Sequence, residues 1–349
     1  MMQTQHWCYL NKAPVAVGQL KLEMSDFQVT EKLGYQPSGA GEHIYLWVRK
    51  TGLNTAYLAE QIARFARVSA RDVTYAGRKD KYAVTEQWFS VHKPGKAEFD
   101  WRDLNVEGAE VLQAIRHDKK LRTGVLKGNR FVITIRNLQN TADLPERLAR
   151  VAQQGVPNYY GAQRFGDSRY DPRGGNLVLA EKMLGGEEIR NRNKRSMAIS
   201  ALRSWLFNEF VSQRIAEGLF SKPMPGDIML LAGSASFFCA EQIDEVIEQR
   251  LASRDIQLSV PLWGQGQLAS LGEAFDYETQ LASAYPEVTQ ALEKLGLKQE
   301  RRALRLLPHD MSWQLDDNQL VLSFDLPAGA FATSVIREIV DIQQYYEVD

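Results

Sequence analysis

The sequence predicts an α+β fold built on antiparallel strand pairs. Three observations carry this. Strand-like and helix-like patterns occur together, but without the regular alternation that a doubly wound parallel sheet imposes. The same strand-then-helix grammar stands near both ends of the chain. Between them lies a middle of different composition, and 349 residues suffice for two cores.

Residues 43–49 place Ile44, Leu46 and Val48 on one face, the period-two pattern of a strand. Asn54 and Thr55 then offer helix caps before Leu58, Ile62 and Phe65 at helical spacing. Residues 73–77 make a short strand ending in glycine, and 84–92 (VTEQWFSVH) make another. The charged turn Arg78-Lys79-Asp80-Lys81 joins them. Phe131, Ile133 and Ile135 alternate in a further strand, and 143–154 reads as an amphipathic helix beginning at Asp143. From Pro157 to Arg195 the chain is rich in Gly, Arg and Asn, with helical patterns following at 197–215 and 241–252. Residues 319–326 form a strand that Pro327 and Gly329 break. Thr333 and Ser334 then offer caps for a helix carrying Val335, Ile336 and Ile339. Junctions fall at 155–157 and 301–308; if the flanks form one domain, the middle is an insertion in it.

Composition narrows the class of protein. Hydrophobic residues are 44% and charged residues 24%, the balance of a folded chain rather than a disordered one. With 42 Lys plus Arg against 43 acids the net charge is −1, which excludes a histone-like polycation but not a local basic cleft. Two cysteines, Cys8 and Cys239, exclude a disulfide framework and a four-cysteine zinc site. The histidines show no metal-ligand spacing. No apolar run approaches the roughly twenty residues of a membrane span, and no secretion signal is legible, so a soluble cytoplasmic protein is expected. GQGQLA at 264–269 has the letters of a dinucleotide fingerprint, but Pro261 sits in the would-be strand and 283–286 hold no acid for a ribose. A glycine loop before a helix is the better reading. Gly161 and Gly166 lack the lysine of a P-loop, and 233–237 lack the second glycine of a nucleophile elbow.

Charge is instead segregated. Arg116, Lys119, Lys120, Arg122, Lys127, Arg130 and Arg136 accompany a single acid, Asp118. Arg190, Arg192, Lys194 and Arg195 stand together without one. Tyr159, Tyr160, Arg164, Phe165, Arg169 and Tyr170 interleave rings and guanidinium groups, a composition suited to phosphates and unstacked bases. A solvated surface over core aromatics would explain any one cluster. Three of them in a nearly neutral chain point to a polyanion. The turn AGRKDKYAVTEQW is sharper still. An aspartate in a turn ordinarily caps it or faces water. Asp80, however, is hemmed by Arg78, Lys79 and Lys81, and an aspartate kept ionised by cations can act as nucleophile or base on an electron-poor carbon.

That turn, read through to AGRKDKYAVTEQWFSV, resembles the catalytic segment of the TruD-type tRNA pseudouridine synthases, AGxKDKxAVTxQ. SDFQVTE at 25–31, LKGN at 126–129 followed by Arg130 and Phe131, and GVPNYYGAQRFG at 155–166 resemble further segments of that family. So do RNKRSMAISALRSWLFN and PAGAFATSVIREI, all in family order across nearly the whole chain. DSRYDPRGGN departs from the pattern where members vary in length. The resemblance implies a catalytic domain with a mixed, largely antiparallel sheet in residues 1–156 and 306–349, split by a large inserted α/β domain in 157–305. The two would form a cleft for tRNA. It further implies isomerisation of uridine-13 in the D-arm to pseudouridine, with no cofactor, nucleotide or metal, by a monomer.

Asp80 matches the family's catalytic aspartate; whether it attacks the base, attacks C1′ or acts as base at C2′ stays open at this level. Phe27, Asn129, Phe131 and Phe331 match substrate-pocket positions, and Lys21 and Lys79 are the candidates for holding Asp80 ionised. Flipping a uridine out of a duplex costs a few kcal/mol, which stacking on a ring partly offsets. An amide such as Asn129 can both donate to and accept from a uracil edge. A core role is the plainer reading of each ring, and strand alternation alone turns Phe131 inward. Arg164, Arg192, Lys194 and Arg195 are candidate tRNA contacts. The alternative from another class is an RNA-binding or RNA-folding protein without isomerase activity; the intact Lys79-Asp80 pair argues against it.

Overall fold

A computed structural model describes residues 2–95, 99–166, 171–234 and 236–343. The chain begins with β1 (Val17–Leu20), β2 (Phe27–Leu33), β3 (His43–Thr51), α1 (Thr55–Ala66), β4 (Val73–Tyr75), β5 (Val84–His92), β6 (Ala109–His117), β7 (Leu126–Gln139) and α2 (Leu144–Gln154). It continues through β8 (Val156–Pro157), α3 (Ala162–Phe165), α4 (Gly175–Leu184), α5 (Arg192–Ala216), β9 (Asp227–Leu231), β10 (Phe237–Ala240) and α6 (Glu245–Ala252). Then come β11 (Ile256–Leu262), α7 (Gly272–Ser283), α8 (Pro286–Lys294), β12 (Glu300–Ala303) and β13 (Arg305–Leu306). It closes with β14 (His309–Asp316), β15 (Gln319–Pro327), α9 (Ala332–Arg337) and β16 (Asp341–Ile342). Among the described residues no helix is long and apolar enough to cross a membrane.

These elements fall into two compact units. One holds Pro14–Ala152, Pro308–Ala332 and the chain from Ile339. Its sheet runs β14-β15-β7-β2-β5-β3-β6, with β1 lying on β7 and β16, and β4 on β5. Among the described residues of this sheet, only β2 with β5 and β1 with β16 pair in parallel. The fold is therefore α+β with a mixed, mostly antiparallel sheet. Alternation explains how it closes on one side: Ile44, Leu46 and Val48 of β3 and Phe89 and Val91 of β5 bury against Leu58, Ile62, Ala63 and Ala66 of α1. Each of the larger side chains contributes about 1.5–3 kcal/mol by leaving water, the alanines less. Asn54 caps α1, its side chain accepting from the Ala56 N–H at 2.8 Å. β7 needs a glycine at 128, because a β-carbon there would lie 2.2 Å from the Leu326 carbonyl oxygen of β15.

The other unit holds the residues up to Ala13, Gln153–Leu307 and Thr333–Glu338. An antiparallel sheet, β10-β9-β11-β12, accompanies its helices, of which α5 is 25 residues long. Leu202, Trp205, Leu206, Phe207, Phe210 and Val211 bury the inner side of α5. Near its end Arg214 meets Asp227 of β9 through two 2.8 Å hydrogen bonds. Val156 pairs with Leu306 where β8 and β13 meet. The residues up to Ala13, expected with the catalytic part, group here: the Trp7 ring stacks on Tyr159 at 5.8 Å, and its indole N–H donates to Glu209 at 2.7 Å.

β3, α1, β5, α2 and β15 lie where the sequence patterns put them, give or take a residue or two at some ends. Three helix starts differ. α6 begins at Glu245 rather than 241, because the Asp244 side chain accepts from the Ile247 N–H at 2.9 Å and caps it there. α5 begins at Arg192 rather than 197, because the Asn191 side chain accepts from the Lys194 N–H at 3.0 Å and caps it there. Thr333 and Ser334 lie inside the first turn of α9 instead of capping it, and the helix ends at Arg337, before Ile339. The Ser334 hydroxyl is occupied elsewhere, donating to the Tyr159 carbonyl at 2.6 Å.

Candidate active site

Asp80 lies on a loop between β4 and β5 that is neither helix nor strand. Such a segment leaves backbone groups that a strand would have paired, and buried ones must find other partners. Three side chains supply them. Thr55, the first residue of α1, accepts from the Lys79 N–H at 3.0 Å and donates to Gln87 Oε1 at 3.0 Å. Gln87 Nε2 reaches the Gly77 carbonyl at 3.5 Å. Lys50, near the end of β3, donates to the carbonyls of Asp80 at 2.8 Å and Leu53 at 2.9 Å. All three side chains are buried.

The Asp80 carboxylate is paired with Lys21, whose Nζ lies 2.9 Å from Oδ2. Lys21 follows β1 with φ +62°, a left-handed conformation that non-glycine residues seldom take. Its ammonium also sits 4.3 Å from the centroid of the Phe27 ring, within cation–π range. Behind it the rings continue. Phe27 meets Phe131 edge-on at 6.2 Å, and Phe131 stacks on Phe324 at 5.7 Å.

Of the two lysine candidates, Lys21 is the one on the carboxylate. Lys79 is ion-paired with Glu31, 2.5 Å from Oε1, and the other Glu31 oxygen accepts from the Trp88 N–H at 2.8 Å. Burial raises the Glu31 carboxyl above its ordinary pKa, against the Lys79 ammonium and the Trp88 N–H, which pull it down. Arg78 and Lys81, flanking in sequence, are exposed.

Asn129 sits on β7 between register partners Glu31 of β2 and Leu326 of β15. Its Oδ1 is buried and has no hydrogen-bond partner, an arrangement costing roughly 1–3 kcal/mol unless a donor arrives. Phe27 and Phe131 are buried, as the core reading of their rings requires, yet both belong to the ring group under Lys21. Phe331 is half-buried in the loop between β15 and α9, a loop that leaves the sheet at Pro327, the partner of Gly128. Lys50 and Glu31 were not found as site residues from sequence. A signal for Lys50 existed: the buried alternation Ile44, Leu46, Val48 runs straight on to it.

The basic clusters resolve unevenly. Arg192, Lys194 and Arg195 are exposed on the first turns of α5, and Lys119, Lys120, Arg122 and Lys127 are exposed between and beside β6 and β7. Arg130 and Arg136 are ion-paired, with Asp325 and with Asp26. Arg164 is half-buried and donates to Ser200 Oγ at 2.8 Å. Tyr159, Tyr160 and Phe165, read from sequence as a base-stacking set, are buried instead. Tyr160 packs edge-on against Phe207 at 5.5 Å, and Trp7 covers Tyr159 and Phe165. Arg169 and Tyr170 lie outside the described residues. Among the described residues no group of three or more His, Cys, Asp or Glu side chains is placed to hold a metal ion.

Comparison with known proteins follows the same residues. The family model for tRNA pseudouridine synthase D (TruD) matches residues 3–183 and 181–339. The chain is 61% identical over 342 residues to the tRNA pseudouridine synthase D of Pseudoalteromonas atlantica, covering 98% of each. It is 50% identical over 337 residues to that of Aeromonas hydrophila, covering 96% of this chain and 94% of the relative. A Methanosarcina mazei chain solved under the TruD name superposes with a TM-score of 0.68 at 20% identity, over 97% of this chain and 95% of that one. This last likeness speaks for the fold alone.

Proposed function

The chain belongs to the TruD family of tRNA pseudouridine synthases, and on that premise we propose that Asp80 is its catalytic residue and uridine-13 in the tRNA D-arm its target. The activity is an isomerisation. The N1–C1′ bond of a uridine breaks, the base turns, and a C5–C1′ bond forms; C5 gives up its hydrogen and N1 gains one. The observation that carries the assignment to Asp80 is its carboxylate, paired with Lys21 beside a group of aromatic rings. A flipped uracil needs a ring to lie against and an amide to read its edge. The unpartnered Asn129 Oδ1 suits the uracil N3–H, and Phe27, Phe131 and Phe331 are the ring candidates. Lys79 then acts one step removed, by fixing Glu31 beneath the loop.

We assign Pro14–Ala152, Pro308–Ala332 and the chain from Ile339 to the catalytic part and Gln153–Leu307 to the inserted domain, with the residues up to Ala13 and Thr333–Glu338 grouping with the latter rather than with the catalytic part expected at 1–156 and 306–349. The pairing of Val156 with Leu306 supports this, because an insertion enters and leaves its host at neighbouring points. We propose that the protein acts as a monomer. We place the protein in the cytoplasm with its tRNA substrate.

Incubation with unmodified tRNA, followed by carbodiimide modification and primer extension by reverse transcriptase, is expected to give one strong stop reporting position 13. A stop elsewhere, or none, sinks the target assignment. Lys21→Met is expected to lower kcat about ten- to a hundredfold and leave KM for tRNA within about twofold, since it removes an electrostatic partner of the reacting group rather than an RNA contact. An unchanged kcat would detach Lys21 from the chemistry.

Arg192, Lys194 and Arg195 crowd a helix N-terminus, where the helix dipole disfavours cations by about 0.3–1 kcal/mol each. Phosphates alongside would reverse that sign. Arg192→Glu with Lys194→Glu is therefore expected to weaken tRNA binding and to flatten the plot of log affinity against log salt by about two in slope. Silent reversals would remove α5 from the RNA interface, and Arg164, tied to Ser200, is ranked below the exposed three.

A further inference from the structure

We propose that Lys50 is a positioning residue for this reaction: from beneath the loop, its buried ammonium fixes the direction of the Asp80 carboxylate and supports the negative charge on it. The inference rests on the reading of Asp80 as catalytic.

Place comes first. The β3 row Ile44, Leu46, Val48 packs on α1, and position 50 continues it with 0% exposure. A leucine or methionine would complete that row. Instead the chain buries a lysine whose donors go to two carbonyls, one of them that of Asp80. No carboxylate among the described residues is ion-paired with it. A lone buried ammonium is expensive, and where an apolar residue would fit, its presence calls for a function.

Geometry supplies one. Thr55 holds the peptide group joining residues 78 and 79, and Lys50 holds the one joining 80 and 81. Residues 79 and 80 lie between these two held peptides, and the one that follows Asp80 is held by Lys50 itself, so the path of the loop at Asp80 is constrained by side chains outside it. Small errors in aim are costly in catalysis, since a displacement of about 1 Å can cost about a hundredfold in rate.

Electrostatics adds the second part. The charged groups facing Lys50 are Asp80, which attracts, and Lys79, which repels; its register neighbours Thr85 and Ala109 carry no charge. Burial pulls the Lys50 pKa down to about 8, with the Asp80 charge opposing. The contribution of this group to stability is therefore greatest above about 10.5, falls as the pH drops toward about 8, and is lowest below that. Protonated Lys50 costs stability at neutral pH. If it earns its place, it does so in turnover.

The experiment compares wild type, Lys50→Met and Asp80→Asn as full chains, measuring melting temperature, tRNA affinity by filter binding, and single-turnover pseudouridine formation across neutral and alkaline pH. Lys50→Met is expected to melt within a few degrees of wild type, loss of the buried charge offsetting the two carbonyls left without a donor, and to bind tRNA within about twofold. Its rate at neutral pH is expected to fall at least about thirtyfold. The wild-type rate is expected to decline on the alkaline side with a midpoint near 8, and Lys50→Met to lack that limb. A Lys50→Met rate within about threefold of wild type overturns the proposal, as does a rate loss that tracks a loss of melting temperature. Should Lys50→Met not fold, the wild-type profile decides, and absence of the alkaline limb counts against Lys50. Failure of the underlying reading looks different: Asp80→Asn would then be active, and both ideas fall together.

Discussion

Asp80→Asn is expected to lower the single-turnover rate of pseudouridine formation by at least about a thousandfold, with tRNA affinity within about threefold of wild type. Asparagine keeps the shape, and the loop contacts described above are made by the Asp80 carbonyl, which the substitution leaves in place. Thr55 and Gln87 likewise grip backbone rather than the side chain. The fold should therefore tolerate the change. What disappears is the carboxylate oxygen opposite Lys21, which on the proposed assignment is the group that attacks or takes a proton. A group acting only in the transition state shows itself in turnover and not in affinity. Filter binding and product formation on one preparation check it; substantial activity would return Asp80 to an ordinary loop residue.

The largest expected loss of stability lies elsewhere. Arg214 and Asp227 are 1% and 0% exposed, and the carboxylate also accepts from the Met224 N–H at 2.9 Å. Burial alone would lower the Arg214 pKa; the Asp227 carboxylate reverses this, and the guanidinium ends above its ordinary range. Asp227→Ala strands a buried cation, which costs about 3–5 kcal/mol and lowers the melting temperature by on the order of 10 °C. Replacing both partners with apolar residues of similar volume is expected to cost far less, because no charge is then left unpaired. Thermal denaturation of the single and double variants separates the two. Equal losses would mean that packing, not charge, governs this spot.

Much of the host sheet was legible because its strands alternate cleanly. Phe131, Ile133 and Ile135 announce β7, and β5 runs over the residues its pattern marked. The turn bearing Asp80 stood out as well, but through its resemblance to a family segment; its charge alone would fit an ordinary solvated turn. Its partners were harder. Lys79 adjoins Asp80 in sequence yet reaches Glu31, 48 residues away, because neighbouring side chains on an irregular loop leave in different directions. Lys50 was missed because the strand read from the sequence stopped at residue 49, one short of it, whereas β3 runs on to Thr51. Tyr159, Tyr160 and Phe165 misled for a related reason: a ring that stacks on a base and one that stacks in a core have the same composition around them.

The host sheet also constrains when the catalyst can exist. β7 draws its neighbour β15 from residues 183 positions later, with Arg136 facing Gln319, and β1 draws β16 from the far end, with Val17 facing Asp341. Closing so long a loop adds little to the equilibrium cost, about 0.6 kcal/mol per doubling of length. Its effect is on timing. A chain emerging from the ribosome has made Lys21, Asp80 and Asn129 long before it has made β15, and until then β7 presents an open edge of unpaired amides. Most of the other unit, Gln153–Leu307 with its local sheet of β9 to β12, is synthesised during that wait. Nascent chains arrested just before β15 should therefore carry every reacting group and still be unable to isomerise uridine, and they are the species most in need of a chaperone.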